Sequence, residues 1–202
     1  MSQESETDPT LAVRLLPTGH RIPPAADGTN LAPSGHVGDF DFLVGNWRVR
    51  HRCLIRSSWQ EFDGECSMRK LLGGQANFDE NTWATATGVN RAVALRIFDP
   101  ERGAWSIFWL DTRWPTTFGP PVIGGFDGNH GVFFGDDELE GRPIRVRFDW
   151  FVDTSDSCRW EQAFSSDGGT TWETNWHMHF AREAFQRPVI PSPRPLSEPS
   201  PC

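Results

Sequence analysis

The chain contains no tyrosine, although it carries ten tryptophans and fifteen phenylalanines. No phenol hydroxyl can therefore serve as a general acid in any site of this protein. The sequence also has no apolar run near the ~18 residues that a membrane-spanning helix needs. We therefore expect no membrane span, and we expect large apolar rings to dominate the core and any binding site.

Basic residues are also scarce, because 19 lysines and arginines stand against 27 aspartates and glutamates, which gives a net charge of −8. Nucleic acids and anionic membranes are bound through a basic face that neutralises their phosphates. The acidic balance of this chain therefore predicts neither a nucleic-acid partner nor a membrane partner.

Cysteine is sparse and lacks metal-binding spacing, since Cys53, Cys66, Cys158 and Cys202 form neither a Cys-x-x-Cys pair nor a Cys/His pattern. The opening stretch MSQESETDPT is acidic and polar, without the basic and apolar regions of a secretion signal. Disulfides are uncommon in reducing compartments. The sequence predicts free thiols, no metal site and a cytoplasmic location.

Proline marks the boundaries of a central domain. Of sixteen prolines, five precede residue 39 and six follow residue 187. Proline-rich ends cannot pair as strands or bury much apolar surface. We therefore predict a disordered or extended N-terminal tail at 1–38, a folded domain at 39–187, for which a β-barrel is predicted below, and a Pro-rich C-terminal tail at 188–202.

Turn signals recur along the central segment, among them DPERG at 99–103 and SSDGGTT at 165–171. We predict ten strands between such turns, near 46–56, 59–70, 75–85, 90–99, 103–113, 121–127, 131–139, 142–153, 157–165 and 170–181. Consecutive strands with short links form an antiparallel meander, and closing it removes the exposed edges. The predicted fold is all-β: a single up-and-down antiparallel β-barrel of about ten strands, with a sandwich as the alternative.

Alternation along the strands indicates which side chains point inward. Trp47, Val49 and His51 share one face of the first strand, opposite the arginines of "NWRVRHR". A ten-stranded barrel is wider than the eight-stranded kind that side chains just fill, so we expect a cavity. The residues predicted to contact a ligand there are Val49, His51, Trp109, Asp111, Phe148, Trp150, Trp160, Gln162, Trp176 and Met178. The parity of the strands near 75–99 and 103–113 stays open.

Gly45-Asn46-Trp47, at the start of the first strand, resembles the G-x-W signature of lipocalins and other calycins. More broadly, the span 40–182 is similar to a family of uncharacterised bacterial lipocalin-like proteins, through the stretches "FDFLVGNWRVRHR", "LLGGQANFDEN", "FDPERGAWSIFWLD", "GRPIRVRFDW" and "RWEQAFSSDGGTTWETNW". The resemblance implies a calycin fold in which Trp47 closes one end of the barrel. It also implies a basic side chain over that ring, and Arg182 is the matching candidate.

A second motif, "SSDGGTTW", fits the Asp-box pattern S-x-D-x-G-x-T-W through Ser165, Asp167, Gly169, Thr171 and Trp172. Sialidase-type propellers carry several copies of this motif, whereas this chain carries one. We therefore interpret it as a hairpin device, in which the Asp accepts local backbone N–H groups, rather than as a glycosidase signal.

The favoured function is the binding of a small, largely apolar ligand, aromatic or polyene, in a Trp-lined cavity of a monomer or homodimer. An alternative is a cofactor-independent isomerase or cyclase that uses Asp111, His51 or Gln162 as a catalytic group. A barrel with no useful cavity, below about 100 Å³, would instead favour an interaction module.

Heme binding is a further alternative, although no cofactor is predicted. His51 points inward, whereas His177 and His179 of "WHMHF" have outward parity. The stretch "NFDENTW" places Asn77, Asp79 and Glu80 near one end of a strand, and we predict a solvated rim there.

Overall fold

The computed structural model describes residues 32–85, 88–113 and 118–183. Within them the chain forms one closed antiparallel barrel in which each strand pairs with the next and the last returns to the first. The strands are β1 (Gly45–Ile55), β2 (Ser58–Leu71), β3 (Ala76–Thr85), β4 (Gly88–Asp99), β5 (Ala104–Asp111), β6 (Val122–Asp127), β7 (His130–Leu139), β8 (Arg142–Thr154), β9 (Ser157–Ser165) and β10 (Glu173–Arg182). This topology confirms the predicted up-and-down barrel.

The tail predictions fall largely outside the described residues, which begin at residue 32 and end at residue 183. Where the N-terminal segment is described, it packs on the barrel. The backbone N–H of Gly35 donates to the carbonyl oxygen of Gly103, and Trp105 Nε1 donates to that of His36 at 3.0 Å. Of the described helices, none has the length and apolar character needed to cross a bilayer.

The first strand alternates as its sequence predicts. Trp47, Val49 and His51 are 1–2% exposed, whereas Arg48 and Arg50 are exposed. The open question of parity in β3, β4 and β5 also has an answer. The inward residues of these strands are Asn77, Asp79, Asn81, Trp83, Ala92, Ala94, Arg96, Phe98, Trp105, Ile107, Trp109 and Asp111.

One end of the barrel is closed by the segment that leads into β1. A one-turn 3₁₀ helix (Asp41–Leu43) buries Leu43, and Trp47 Nε1 donates to the Leu43 carbonyl oxygen at 2.8 Å. The Arg182 guanidinium carbon lies 4.1 Å from the centre of the Trp47 ring system. Its terminal nitrogens donate to the carbonyl oxygens of Val44 and Phe42, each at 2.7 Å. Arg182 therefore ties the last strand to the plug of the barrel.

The described cysteines are free and buried. Cys53 lies opposite Gln60 and Cys66 opposite Trp47 in the ladder between β1 and β2, so no bridge joins these two residues. Burial raises the pKa of the Cys53 thiol to about 12 and that of Cys158 to about 12. These thiols are therefore unreactive, and they pack in the core as small apolar side chains.

The Asp-box segment connects β9 to β10 as a local hairpin device. The Asp167 carboxylate accepts the backbone N–H groups of Thr170 and Thr171 and the hydroxyls of Ser165 and Thr171. These hydrogen bonds, led by the Thr171 N–H, hold the pKa of Asp167 well below its usual range. Because the turn extends this far, β10 begins at Glu173, later than the predicted residue 170.

Candidate functional site

The barrel wall has its shortest ladder between β5 and β6, which runs only from the Trp105–Gly124 pair to the Ile107–Val122 pair. β4 by contrast pairs along the whole of β5. Within the described part of the chain, residues 108–111 therefore have no ladder partner on the β6 side. This gap lies toward the end of the barrel opposite the Trp47 plug, which we call the open end.

An interior cavity of about 40 Å³ lies beside this gap. It is lined by Ile107, Trp109, Asp111, Arg113, Pro120, Val122, Val146, Phe148, Trp160, Gln162 and Trp176. Most of these side chains are apolar or aromatic, and the polar ones are few. Such a lining is typical of small-molecule sites, in which a few polar groups orient an apolar ligand.

Indole rings form much of the wall. Trp109 and Trp160 meet Trp176 edge to face, with ring centroids 6.3 and 5.7 Å apart. Phe148 meets Trp160 in the same orientation at 4.9 Å. Edge-to-face contacts stabilise ring pairs by about 0.5–1.5 kcal/mol beyond their buried area and fix the ring planes. The wall therefore presents aromatic faces and edges in fixed directions.

The polar side of the cavity is formed by the carboxylate of Asp111, which Arg113, two residues further along the chain, holds by hydrogen bonds. Arg113 donates to Asp111 from Nε at 3.1 Å, from a terminal nitrogen at 2.7 Å and from its backbone N–H at 2.8 Å. Trp109 Nε1 adds a bond of 3.0 Å. Burial alone would raise the pKa of Asp111, but the hydrogen bonds and charge of Arg113, together with the Trp109 indole, hold the pKa below its usual value. The carboxylate is ionised, and four donors already occupy it.

His51 lies behind the cavity wall, 1% exposed. Its Nδ1 accepts the Trp176 indole N–H at 3.2 Å, and its ring stacks on Phe62 with centroids 4.8 Å apart. The ring fits because β2 has a glycine there: a Cβ on Gly64 would lie 2.7 Å from His51 Nε2. Burial lowers the pKa of His51 from 6.5 to about 3, so the imidazole is neutral in the folded protein.

This neutral histidine makes stability depend on pH. In the unfolded chain His51 takes up a proton below its ordinary pKa of 6.5, whereas in the fold it does so only near 3. The unfolded state therefore binds more protons between these values, and the free energy of unfolding falls as the pH falls. We expect His51 alone to lower the free energy of unfolding by about 2 kcal/mol when the pH falls from about 7.5 to about 5.

Urea unfolding of the wild type and of His51→Gln at both pH values measures this effect. Glutamine does not titrate and keeps an acceptor for the Trp176 N–H, so the variant should lose the His51 share of the pH dependence. His179→Gln is the control, because His179 is exposed on the outer face of β10. An identical pH dependence in the wild type and His51→Gln would contradict the expectation.

Six of the ten residues predicted to contact a ligand line this cavity, namely Trp109, Asp111, Phe148, Trp160, Gln162 and Trp176. The other four, Val49, His51, Trp150 and Met178, are buried elsewhere in the interior. Of the candidate catalytic groups, Asp111 and Gln162 reach the cavity and His51 does not. Gln162 Nε2 donates to Asn175 Oδ1 at 2.8 Å, which fixes the orientation of its amide.

Several lining residues were not among the predicted contacts: Ile107, Arg113, Pro120, Val122 and Val146. Ile107 and Arg113 have the same strand parity as Trp109 and Asp111, so the alternation of the fifth strand could have predicted that both point inward. Pro120 lies in the segment between β5 and β6, where alternation gives no information.

The solvated rim predicted for "NFDENTW" is wrong for two of its three residues. Asn77 and Asp79 are 2% exposed inside the barrel, and Glu80 alone is exposed on the outer face. The prediction failed because β3 starts at the closed end, so these side chains lie deep in the interior. Asp79 is buried there against Arg96.

The other histidines considered as ligands lie on the outside. His177 Nδ1 lies 3.4 Å from a carboxylate oxygen of Glu161, and His179 is exposed. Across residues 32–85, 88–113 and 118–183, no three His, Cys, Asp or Glu side chains cluster closely enough to hold a metal ion.

The fold and the plug define a calycin-like barrel of ten strands. No protein-family model matches the sequence, and no curated protein matches it significantly. Among solved structures, the chain is similar to the S-type phycobiliprotein lyase CPES from Guillardia theta, with a TM-score of 0.48, 10% identity and coverage of 73% of this chain and 92% of that one. It is also similar to EF1p2_mFAP2b bound to DFHBI, with a TM-score of 0.41, 10% identity and coverage of 73% and 98%.

Proposed function

We propose that this protein binds a small, largely apolar aromatic molecule in the cavity beside the β5–β6 gap. The observation that carries the proposal is the lining itself: indole and phenyl rings on most sides, with polar groups confined to the Asp111–Arg113 pair and Gln162. The proposal does not rest on the two similar solved barrels, which are 10% identical to this chain and have TM-scores of 0.41 and 0.48.

Ligand entry requires the wall to open, because a cavity that holds one benzene ring measures about 150 Å³, whereas this one measures about 40 Å³. The gap between β5 and β6 is where the wall has the fewest backbone hydrogen bonds to break, since residues 108–111 have no ladder partner on the β6 side in the described chain. Arg113 and Pro120 flank this gap. A flat ring that enters there would meet the lining rings of Trp109, Trp160 and Trp176.

Binding is favoured over proton transfer by the state of the candidate catalytic groups. Asp111 accepts four hydrogen bonds, and Nδ1 of His51 is occupied by Trp176. Neither group offers a free acceptor to a substrate without breaking an existing bond. The same placement disfavours heme, because His51 lies behind the wall and His177 and His179 lie outside it.

A second candidate, an interaction module with a solid barrel, is favoured by one observation. The cavity of about 40 Å³ is smaller than a typical ligand site, which measures about 300–1,000 Å³. In that case the interior would serve stability alone, and other surfaces would carry the function.

Filling the cavity separates the two candidates. Val122 lines the cavity and its neighbour Ile123 points to the other face of β6. We expect Val122→Phe to weaken the binding of naphthalene at least about tenfold, because its ring occupies the space that the probe needs. The measurement is an NMR titration that follows the indole N–H signals of Trp109, Trp160 and Trp176.

Ile123→Phe is the matched control and should leave naphthalene affinity within about twofold of the wild type, since the added ring lies outside the barrel. Wild-type protein that shows no saturable indole shifts would favour the solid barrel. Equal affinity in the wild type and Val122→Phe would place the probe outside this cavity.

A further inference from the structure

A second polar cluster lies deep in the barrel, apart from the cavity. Arg96 and Asp79 form an ion pair whose side chains are 3% and 2% exposed. The other Asp79 oxygen accepts the Asn81 amide, and the Arg96 nitrogen that meets Asp79 also donates to Asn77 Oδ1 at 3.2 Å. The charges of this cluster are thus balanced, and both Asp79 oxygens and Asn77 Oδ1 accept donors within it.

Two buried donors beside this cluster have no partner among the described residues: Arg96 Nε and Trp150 Nε1. Both residues are 3% exposed. They are neighbours, since the Arg96 guanidinium carbon lies 5.5 Å from the centre of the Trp150 ring system. A buried N–H without an acceptor is costly, and an oxygen atom bound between these neighbouring side chains would relieve that cost.

Neither Arg96 nor Trp150 lines the cavity, but each adjoins a residue that does. On β8, Trp150 is the next inward residue after Phe148, which lines the cavity. On β4, Arg96 lies opposite Ile107 of β5, another lining residue. A molecule that extends from the cavity inward past Phe148 and Ile107 would therefore approach Arg96 and Trp150.

We propose that Arg96 Nε and Trp150 Nε1 form a polar subsite that receives a neutral oxygen of the ligand, such as a carbonyl. This inference rests on the proposed ligand-binding function and names the chemical class of its ligand: an aromatic ketone or aldehyde. A neutral oxygen is selected over a carboxylate because Asp79 already balances Arg96. A second anion there would leave an uncompensated buried negative charge.

Three probes with the same ring test this selection: naphthalene without an acceptor, 2-acetylnaphthalene with a neutral one and 2-naphthoate with an anionic one. We expect 2-acetylnaphthalene to bind the wild type about tenfold more tightly than naphthalene. We expect 2-naphthoate to bind no more tightly than naphthalene. A crystal structure of the ketone complex should place its oxygen within hydrogen-bonding distance of both nitrogens.

Trp150→Phe keeps an aromatic ring and removes one donor, so it should reduce the preference for the ketone over naphthalene at least about threefold. Trp105→Phe is the matched control. It also removes a buried indole N–H, but one already paired with His36, and it should leave the preference unchanged. Because each variant is compared with itself across two probes, a general loss of stability does not alter the ratio.

The outcomes separate this inference from the proposed function. Equal binding of naphthalene and 2-acetylnaphthalene would overturn the subsite and leave the cavity as a binding site, with a water molecule as the partner of the two donors. Tighter binding of 2-naphthoate than of the ketone would also overturn it. Binding of none of the three probes would overturn both proposals.

Discussion

Replacing Asp79 by leucine should lower the free energy of unfolding by about 3–5 kcal/mol. Asp79 and Arg96 are the most deeply buried ion pair of the described chain, 2% and 3% exposed. Leucine has a similar size but no charge, so the guanidinium would remain in the interior without an anion. Its contacts with the rings of Phe40 and Trp150, at 4.8 and 5.5 Å, cannot replace a full negative charge.

If the uncompensated charge of Arg96 causes this loss, removing that charge as well should restore stability. In Asp79→Leu combined with Arg96→Met, the uncompensated cation disappears, and more than half of the lost stability should return. What remains is the cost of the amides of Asn77 and Asn81, which lose partners in this double variant. Urea unfolding of the single and double variants measures both effects.

Asp63→Leu is the control, since Asp63 pairs with Arg50 on the outer face of the barrel. Arg50 there keeps its ion pair with Glu61 and its contact with water, so this change should have little effect. A double variant that is no more stable than Asp79→Leu would show that the loss comes from the broken hydrogen bonds of Asp79 and not from the uncompensated charge of Arg96.

The sequence predicted the barrel because its strands are short, consecutive and bounded by clear turns. The first strand shows why the side-chain directions also followed: arginines alternate with Trp47, Val49 and His51, and three charges cannot all face a core. The plug was predictable for a different reason, since the resemblance of Gly45-Asn46-Trp47 to the G-x-W signature implied a basic side chain over Trp47, and Arg182 occupies that place.

The interior of β4 shows where alternation misleads. Val93, Leu95 and Ile97 form the more apolar face, yet they lie outward, and Ile97 is 41% exposed. The inward face carries Ala92, Ala94, Arg96 and Phe98. Small alanines are needed inside because large rings from other strands fill the lumen, and Arg96 is tolerated because Asp79 neutralises it. Neither the rings from other strands nor the neutralising role of Asp79 can be identified from the sequence of β4 alone.

The second large effect is expected at the plug, where Trp47→Ala should lower the free energy of unfolding by about 3–5 kcal/mol. The ring is 1% exposed and lies under Arg182. Its removal leaves a cavity at the closed end and takes away the donor to the Leu43 carbonyl oxygen. It also takes the cation–π contact from Arg182, whose bonds to Val44 and Phe42 hold the 3₁₀ helix over the barrel.

The size of this loss distinguishes a structural plug from a surface tryptophan. Trp59→Ala is the matched control, because Trp59 is 38% exposed on the outer face of β2 and also stacks with an arginine, Arg52, at 4.6 Å. Both variants lose an indole and a cation–π contact, but only the change at Trp47 opens a cavity. Chemical unfolding should therefore show a clearly larger loss for Trp47→Ala, and similar losses would mean that Trp47 acts through its arginine contact and not through closing the barrel.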